Sequence, residues 1–195
     1  VVTGRTEVGG WVEQSERLST AIARSVGPDV RTFGAAVTDS YSIESATSPA
    51  ASDDVVVSLA TTTELSSLVR VIDSAADVPS DAAIAVSVHR TAAEMLGLSV
   101  GDRLQLTSTR VEPVEVEVVA VFEPLDPSDR LWIDSPLVRD GFVEGVSVDR
   151  IGPFLVSESA FVGLGGSATF DWRVTPEPSS LSAATARRLA AAAPR

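Results

Sequence analysis

The chain has no cysteine and no lysine, a single histidine (His89) and a single methionine (Met95). Each absence closes off a chemistry. Without cysteine there is no disulfide, no thiolate nucleophile and no sulfur ligand for a metal. Without lysine there is no Schiff base and no P-loop cation. One histidine would give a zinc ion one nitrogen ligand and no sulfur, a poor donor set. Aromatics make up 5% of the residues. The core must therefore be built from Val, Leu, Ile and Ala, which fits a β-rich fold with some helix. No apolar run approaches the roughly 18 residues that a spanning helix needs, and no signal-peptide pattern is present.

What remains is ordinary in size and unusual in charge. A chain of 195 residues accommodates one large domain or two small lobes, and can bury roughly 70% of its unfolded surface without staples. The hydrophobic fraction is 44% and the net charge −12, with every basic residue an arginine. Such acidity repels nucleic acid and anionic lipid surfaces, so no nucleic-acid partner is expected. The lack of an initiating methionine leads us to expect a piece of a longer polypeptide.

Hydrophobic periodicity outlines the elements. Residues 12–26 read as an amphipathic helix with Leu18, Ile22 and Val26 as its stripe, ended by Gly27-Pro28. Residues 29–43 read as a strand or hairpin arm, 44–53 as a loop, and Val55–Leu59 as a strand. Residues 62–77 fit a helix, with Leu65, Leu68, Val69 and Ile72 on one face. Ile84–Val86 starts a strand that leads into a helix N-capped by Ser87, with Val88, Ala92, Met95 and Leu96 on its apolar face and Gly97 as its stop. Leu104 and Leu106 alternate with Arg103 and Gln105 as on a half-buried strand, and Val114, Val116 and Val118 alternate with Glu115 and Glu117. Phe154–Val156 and Ala168–Val174 read as strands and 179–193 as a final helix. Helices and strands do not alternate regularly, which favours α+β over a doubly wound sheet.

No residue set assembles into a credible active centre. His89 stands on the first turn of its helix, facing solvent, with no nucleophile pattern beside it. Asp126, Asp129 and Asp134 are close in sequence, yet lack the EF-hand order and read as turn formers. Gly163-Leu164-Gly165-Gly166-Ser167 lacks the lysine of a phosphate loop and reads as a turn before a strand. Glu115 and Glu117 lie on an outward strand face and are solvated, without a pocket to raise their pKa. Trp172 and Trp132 are large apolar groups; Trp132 either pins its loop or stands as an exposed anchor for a partner. Trp11 follows two glycines and shows no role.

Five segments in order carry a family resemblance. Ala93, Leu96, Gly97, Leu98, Val100, Gly101, Asp102, Leu104 and Leu106 resemble the A-x-x-L-G-L-x-V-G-D-x-L-x-L stretch of the extracytoplasmic domains of FtsX-like and MacB-like ABC transporter permeases. Val116–Phe122 is similar to the V-x-V-V-G-V-F strand, with Ala120 in place of glycine. Asp126-Pro127-Ser128-Asp129-Arg130-Leu131-Trp132 resembles the D-P-x-D-P-x-W segment of the actinobacterial branch, with Arg130 where proline stands. Gly152–Val156 resembles G-P-x-L-V, and Trp172–Pro176 resembles W-R-V-x-P. The resemblance covers residues 81–190.

That resemblance implies a two-lobed α+β domain on the extracytoplasmic side of the cell membrane. Residues 1–80 and 138–195 would form a small α/β lobe, and residues 81–137 an inserted β-rich lobe. A cytoplasmic ATPase would drive the full-length permease through flanking membrane helices. This domain would act on an extracytoplasmic protein, lipoprotein or peptide. No catalytic residue, cofactor or metal is expected, and Trp132, Asp126 and Asp129 are the partner-contact candidates. A secreted binding or adhesion module and, further off, a hydrolase using His89 or a carboxylate pair are the alternatives.

Overall fold

The computed structural model describes residues 2–26, 30–38, 40–44, 55–63, 68–75, 83–129, 135–176, 182–184 and 187. In chain order these form β1 (Val2–Glu7), a 3-10 turn (Val8–Gly10), α1 (Trp11–Val26), β2 (Val30–Thr38), β3 (Tyr41–Glu44), β4 (Val55–Thr62), β5 (Val69–Ser74) and β6 (Ile84–His89). There follow α2 (Arg90–Leu96), β7 (Arg103–Thr107), β8 (Val114–Pro124), α3 (Pro136–Asp140), β9 (Phe142–Val143), β10 (Asp149–Leu155), α4 (Glu158–Gly163) and β11 (Ser167–Pro176). The architecture is α+β: one large mixed sheet with a few helices against it.

Six strands of this sheet pair in a closed ring, β4–β3–β7–β8–β6–β10 and back to β4. The β6–β8 and β10–β4 pairs are parallel and the other four antiparallel. Closure removes exposed strand edges and gives alternate side chains a common interior. Tyr41, Val57, Leu59, Val86, Val88, Leu104, Leu106, Val116, Val118, Ile151 and Phe154 accordingly belong to one buried cluster. From β4 a wing of three antiparallel strands, β2, β11 and β1, extends the sheet. Trp11, Phe170 and Trp172 join the same cluster there, with Leu18 and Ile22 of α1 packed against it. Leu18 and Ile22 of the stripe expected on residues 12–26 thus face the core, and the Val26 side chain lies outside what is described. The segments 1–80, 81–137 and 138–195 share this sheet without a break, since β3 pairs with β7 and β6 with β10.

Three local expectations are corrected. Where a helix was expected over residues 62–77, the described residues form a strand: β5 lies antiparallel along the second half of β8. Val69, Val71 and Ile72 are β-branched and fit a pleat better than a helix, and β8 runs past the end of β7 and leaves backbone groups to pair. Leu65 lies outside the described residues. The helix after Ile84 starts later than expected, at Arg90, because β6 runs on to His89. Ser87 therefore sits in the strand opposite Leu155, and His89 is the N-cap, accepting from the Thr91 N–H. The short helix turns Ala92, Ala93 and Leu96 inward and leaves Met95 exposed.

The expected loop over 44–53, apart from Glu44, and most of the final helix over 179–193 lie outside the described residues. The glycine stop, the Leu104/Leu106 alternation and the outward glutamates are as expected. Gly97 closes α2 in the left-handed region (φ 65°), and the Leu98 N–H returns to the Ala93 carbonyl at 2.8 Å, as a glycine C-cap requires. Leu104 and Leu106 are buried between exposed Arg103 and Gln105. Glu115 and Glu117 face outward, where Arg103 pairs with both.

Candidate functional site: a charged cleft around His89

At the end of β6 the chain needs an acceptor for the first free N–H groups of α2. His89 supplies it through Nδ1, 3.1 Å from the Thr91 nitrogen. The ring is pulled inward by this bond, so His89 is only 5% exposed. This corrects the expectation that His89 faces solvent. The ring packs edge-on against Phe122, with centroids 5.5 Å apart, and its other side lies directly against Gly141. With Nδ1 spent as an acceptor, the neutral ring carries its proton on Nε2. No described group meets hydrogen-bond geometry at Nε2.

Charged groups surround this ring. Glu123, which follows Phe122 on β8, is held by Arg70 of β5 and by Arg90 of α2, the latter at 2.9 Å. Arg139 and Asp140 at the end of α3 pair through two hydrogen bonds, of 2.8 and 2.6 Å. Together with Thr91, Leu125 and Pro127 these residues line an open cleft of about 540 Å³.

The electrostatics leave little scope for proton transfer. Burial pushes the His89 pKa below its usual value; the Arg139 carbonyl and the Asp140 and Glu123 carboxylates oppose this by less, and Arg90 adds to it. The hydrogen bond from Arg70 keeps the Glu123 carboxyl low, and that from Arg139 does the same for Asp140. Each carboxylate of the cleft is therefore ionised and matched to a guanidinium. A carboxyl that acts as general acid must be held protonated, which these are not. The cleft instead offers fixed charges of both signs, suited to docking a polar surface. Among the described residues no group of three or more His, Asp or Glu side chains is placed to hold a metal ion.

The sign of the His89 shift gives a test. A folded-state pKa below the unfolded value of about 6.5 means that the unfolded chain binds the proton first. Stability is then complete above about pH 7. It falls as the pH drops through the unfolded value, and this loss ends below the folded one. The slope is at most about 1.4 kcal/mol per pH unit. Melting temperatures between pH 7.5 and 5.5 are expected to fall for the native chain. They should stay flat for His89→Asn, which keeps an N-cap acceptor but does not titrate.

The partner-contact candidates border this cleft only in part. Asp126 lies beside it between Leu125 and Pro127, in a turn closed by the Ser128 N–H (2.9 Å) and hydroxyl (2.6 Å) on its carboxylate. These two bonds hold its pKa down. The Asp129 N–H bonds the Asp126 carbonyl at 3.1 Å, so the turn chemistry expected of Asp126–Asp129 is present. Trp132 and Asp134 lie outside the described residues. Arg70, Arg90, Glu123, Arg139 and Asp140 had not been singled out in the sequence. They come from four separate elements, and no local spacing joins them. Gly163–Ser167 forms the turn between α4 and β11, and its Gly166 carbonyl accepts from the Val8 N–H at 3.0 Å.

No family model matches the chain, and no curated protein matches it in sequence. A crystal structure of a domain ascribed to a permease protein of Porphyromonas gingivalis superposes on 84% of this chain and 68% of that one, with a TM-score of 0.40 and 14% identity. A superposition this loose carries no weight on role. Among the described residues no helix is long and apolar enough to cross a membrane.

Proposed function

We propose that this chain is a non-catalytic extracytoplasmic domain of an ABC transporter permease of the FtsX-like, MacB-like type. The observation that carries the reading is what the residues of the 93–106 resemblance do. Ala93, Leu96, Leu104 and Leu106 are buried. Gly97 makes the left-handed stop. The Gly101 N–H bonds the Val118 carbonyl at 2.8 Å, and the Asp102 carbonyl accepts from the Val118 N–H at 2.9 Å. The Asp102 carboxylate accepts from the Ser99 N–H at 2.7 Å. Each residue is spent on joining α2, β7 and β8 into one corner. A motif built of caps, turns and core contacts marks a scaffold, and reactive groups are not part of it.

In this reading a cytoplasmic ATPase drives the full-length permease, and the domain relays the movement to an extracytoplasmic protein, lipoprotein or peptide. The cleft around His89, bordered by Asp126 and with Asp129 three residues on in sequence, is the docking face, and Trp132 remains a partner-contact candidate from the sequence. The lobes at 1–80 with 138–195 and at 81–137 belong to the same proposal, as parts that move together because their strands interlock. Net acidity keeps the domain off an anionic leaflet.

Topology tests the reading. Val146 is fully exposed, and the 195 residues contain no cysteine. In the full-length protein, made cysteine-free elsewhere, Val146→Cys is expected to react with a membrane-impermeant maleimide on intact cells. Flanking runs of about 20 apolar residues are expected on both sides. Labelling only after lysis, or polar flanks on both sides, would overturn the proposal.

A further inference from the structure

Beside the His89 cleft the sheet has an open edge. β5 pairs with β8 and, among the described residues, with no other strand. Its β8 side is used from end to end. The Leu125 N–H donates to the Leu68 carbonyl at 3.0 Å, and the Ala75 N–H to the Val119 carbonyl at 2.8 Å. Backbone groups of an antiparallel strand point alternately to its two edges. The Leu68 carbonyl faces β8, so the N–H and C=O groups of Val69 and Val71 face away from it. Pro124 stands opposite Val69 and has no N–H to give, in keeping with that direction. These outward backbone groups meet no described partner.

Open edges are normally blunted by lysine, proline, a bulge or a covering segment. β5 contains no lysine or proline, and Arg70 to Ser74 are all exposed. A register break at Ile72 bulges the far half of the strand and leaves Val69–Val71 regular. Six large apolar side chains are exposed among the described residues, and three of them gather here: Val71 (55%), Ile72 (45%) and, beside the start of the strand, Leu125 (59%). Charge is graded along the edge. The Glu123 side chain, 12% exposed, is shared by the guanidiniums of Arg70 and Arg90, which leaves one positive charge in excess at this end. Asp73 puts an exposed negative charge at the other. The edge is continuous with the cleft, which Arg70, Arg90, Glu123 and Leu125 also line.

We propose that the outer edge of β5 takes an extended segment of the partner protein as an added antiparallel strand, with β-branched apolar residues opposite Val69 and Val71 and an acidic residue between them, opposite Arg70. The outward N–H and C=O groups of Val69 and Val71 bond the segment's backbone. Residues opposite one another share a face, with Cβ atoms about 5 Å apart, so the acid meets the Arg70 guanidinium and an apolar side chain covers Val71. Asp73 repels the acid from the far half of the strand, which fixes the register. A second copy of this chain suits the edge less. Val69–Val71 carries an arginine at its centre, so pairing with a copy sets Arg70 against Arg70, and two bodies of net charge −12 repel. The inference rests on the cleft being a docking face. Peptide binding to the 195-residue chain decides it, whereas labelling in cells decides the permease reading, so either can fail alone.

The probe is acetyl-Thr-Val-Glu-Val-Thr-amide, titrated into the isotopically labelled chain and followed by amide chemical shifts. Saturable shifts are expected at Val69, Arg70 and Val71. N-methylation of both peptide valines removes the N–H groups that face β5 and should abolish binding. N-methylation of the glutamate, whose N–H faces solvent, should leave it in place. Lysine for the peptide's glutamate should weaken binding about fivefold or more, and Arg70→Gln about threefold, the worth of an exposed cross-strand charge pair. Val71→Pro deletes an outward N–H and no bond to β8, and should abolish binding in a chain whose melting temperature shows it folded. The methylated peptides use the native chain, so the test stands whether or not a variant folds. The inference fails if no saturable shift occurs, if the peptide methylated at both valines binds as well, or if the lysine peptide binds as tightly. It also fails if the same amides shift with chain concentration alone, which would give the edge to a second copy.

Discussion

Trp11→Ala should be the most damaging single truncation in this chain. Trp11 opens α1 and is 1% exposed. Its ring centroid lies 6.4 Å from that of Phe170 and 6.3 Å from that of Trp172. In a chain with so few aromatics this trio sits together in the buried cluster where α1 meets the β2–β11–β1 wing. Truncation to alanine forfeits the transfer free energy of the indole and leaves a void that flanking strands cannot close, at a cost of about 3–5 kcal/mol. For a domain of this size that is a fall in melting temperature of about 10 °C or more. A fall below about 3 °C would mean that the helix–wing contact does not hold the fold together.

Gly141→Ala should come close behind, for a different reason. Gly141 follows α3 with φ 76°, a region that costs an L-residue about 1–2 kcal/mol. A Cβ there would also run into Nδ1 and Cγ of His89, and His89 cannot swing away without giving up its cap on α2. Overpacking of this kind costs about 1–3 kcal/mol more, for a sum of about 2–5 kcal/mol measured by denaturant unfolding. The two parts separate in a double-mutant cycle. His89→Ala combined with Gly141→Ala should cost less than the sum of the single changes, because the collision disappears and the backbone strain stays. Additive costs would show that the ring does not lie against Gly141.

The sequence made the α2–β7–β8 corner readable because its determinants are local. Gly97, the Leu104/Leu106 alternation and the valines of β8 act within a few residues of one another. The errors arose where a distant partner decides. Leu68, Val69 and Ile72 fit a helical face, but the edge of β8 that β7 leaves open, some fifty residues on, recruits that segment as a strand. Where β6 ends is likewise set by its pairing with β8 out to Phe122, and this moved the helix cap from Ser87 to His89. Trp11 showed no role in the sequence because its partners are Phe170 and Trp172, at the other end of the chain. The charged cleft was hidden for the same reason: Glu123 meets Arg70 and Arg90 only after three strands have paired.

The pairing of β1 with β11 bears on how such a body responds to tension. Val2 lies opposite Trp172 and the two strands are antiparallel, so the start of β1 and the end of β11 leave the sheet at the same end. Pulling those two points apart loads the ladder one rung at a time, from Val2 inward, and it opens like a zipper under modest force. Moving them together loads no rung, so a displacement shared by both ends leaves the ladder intact.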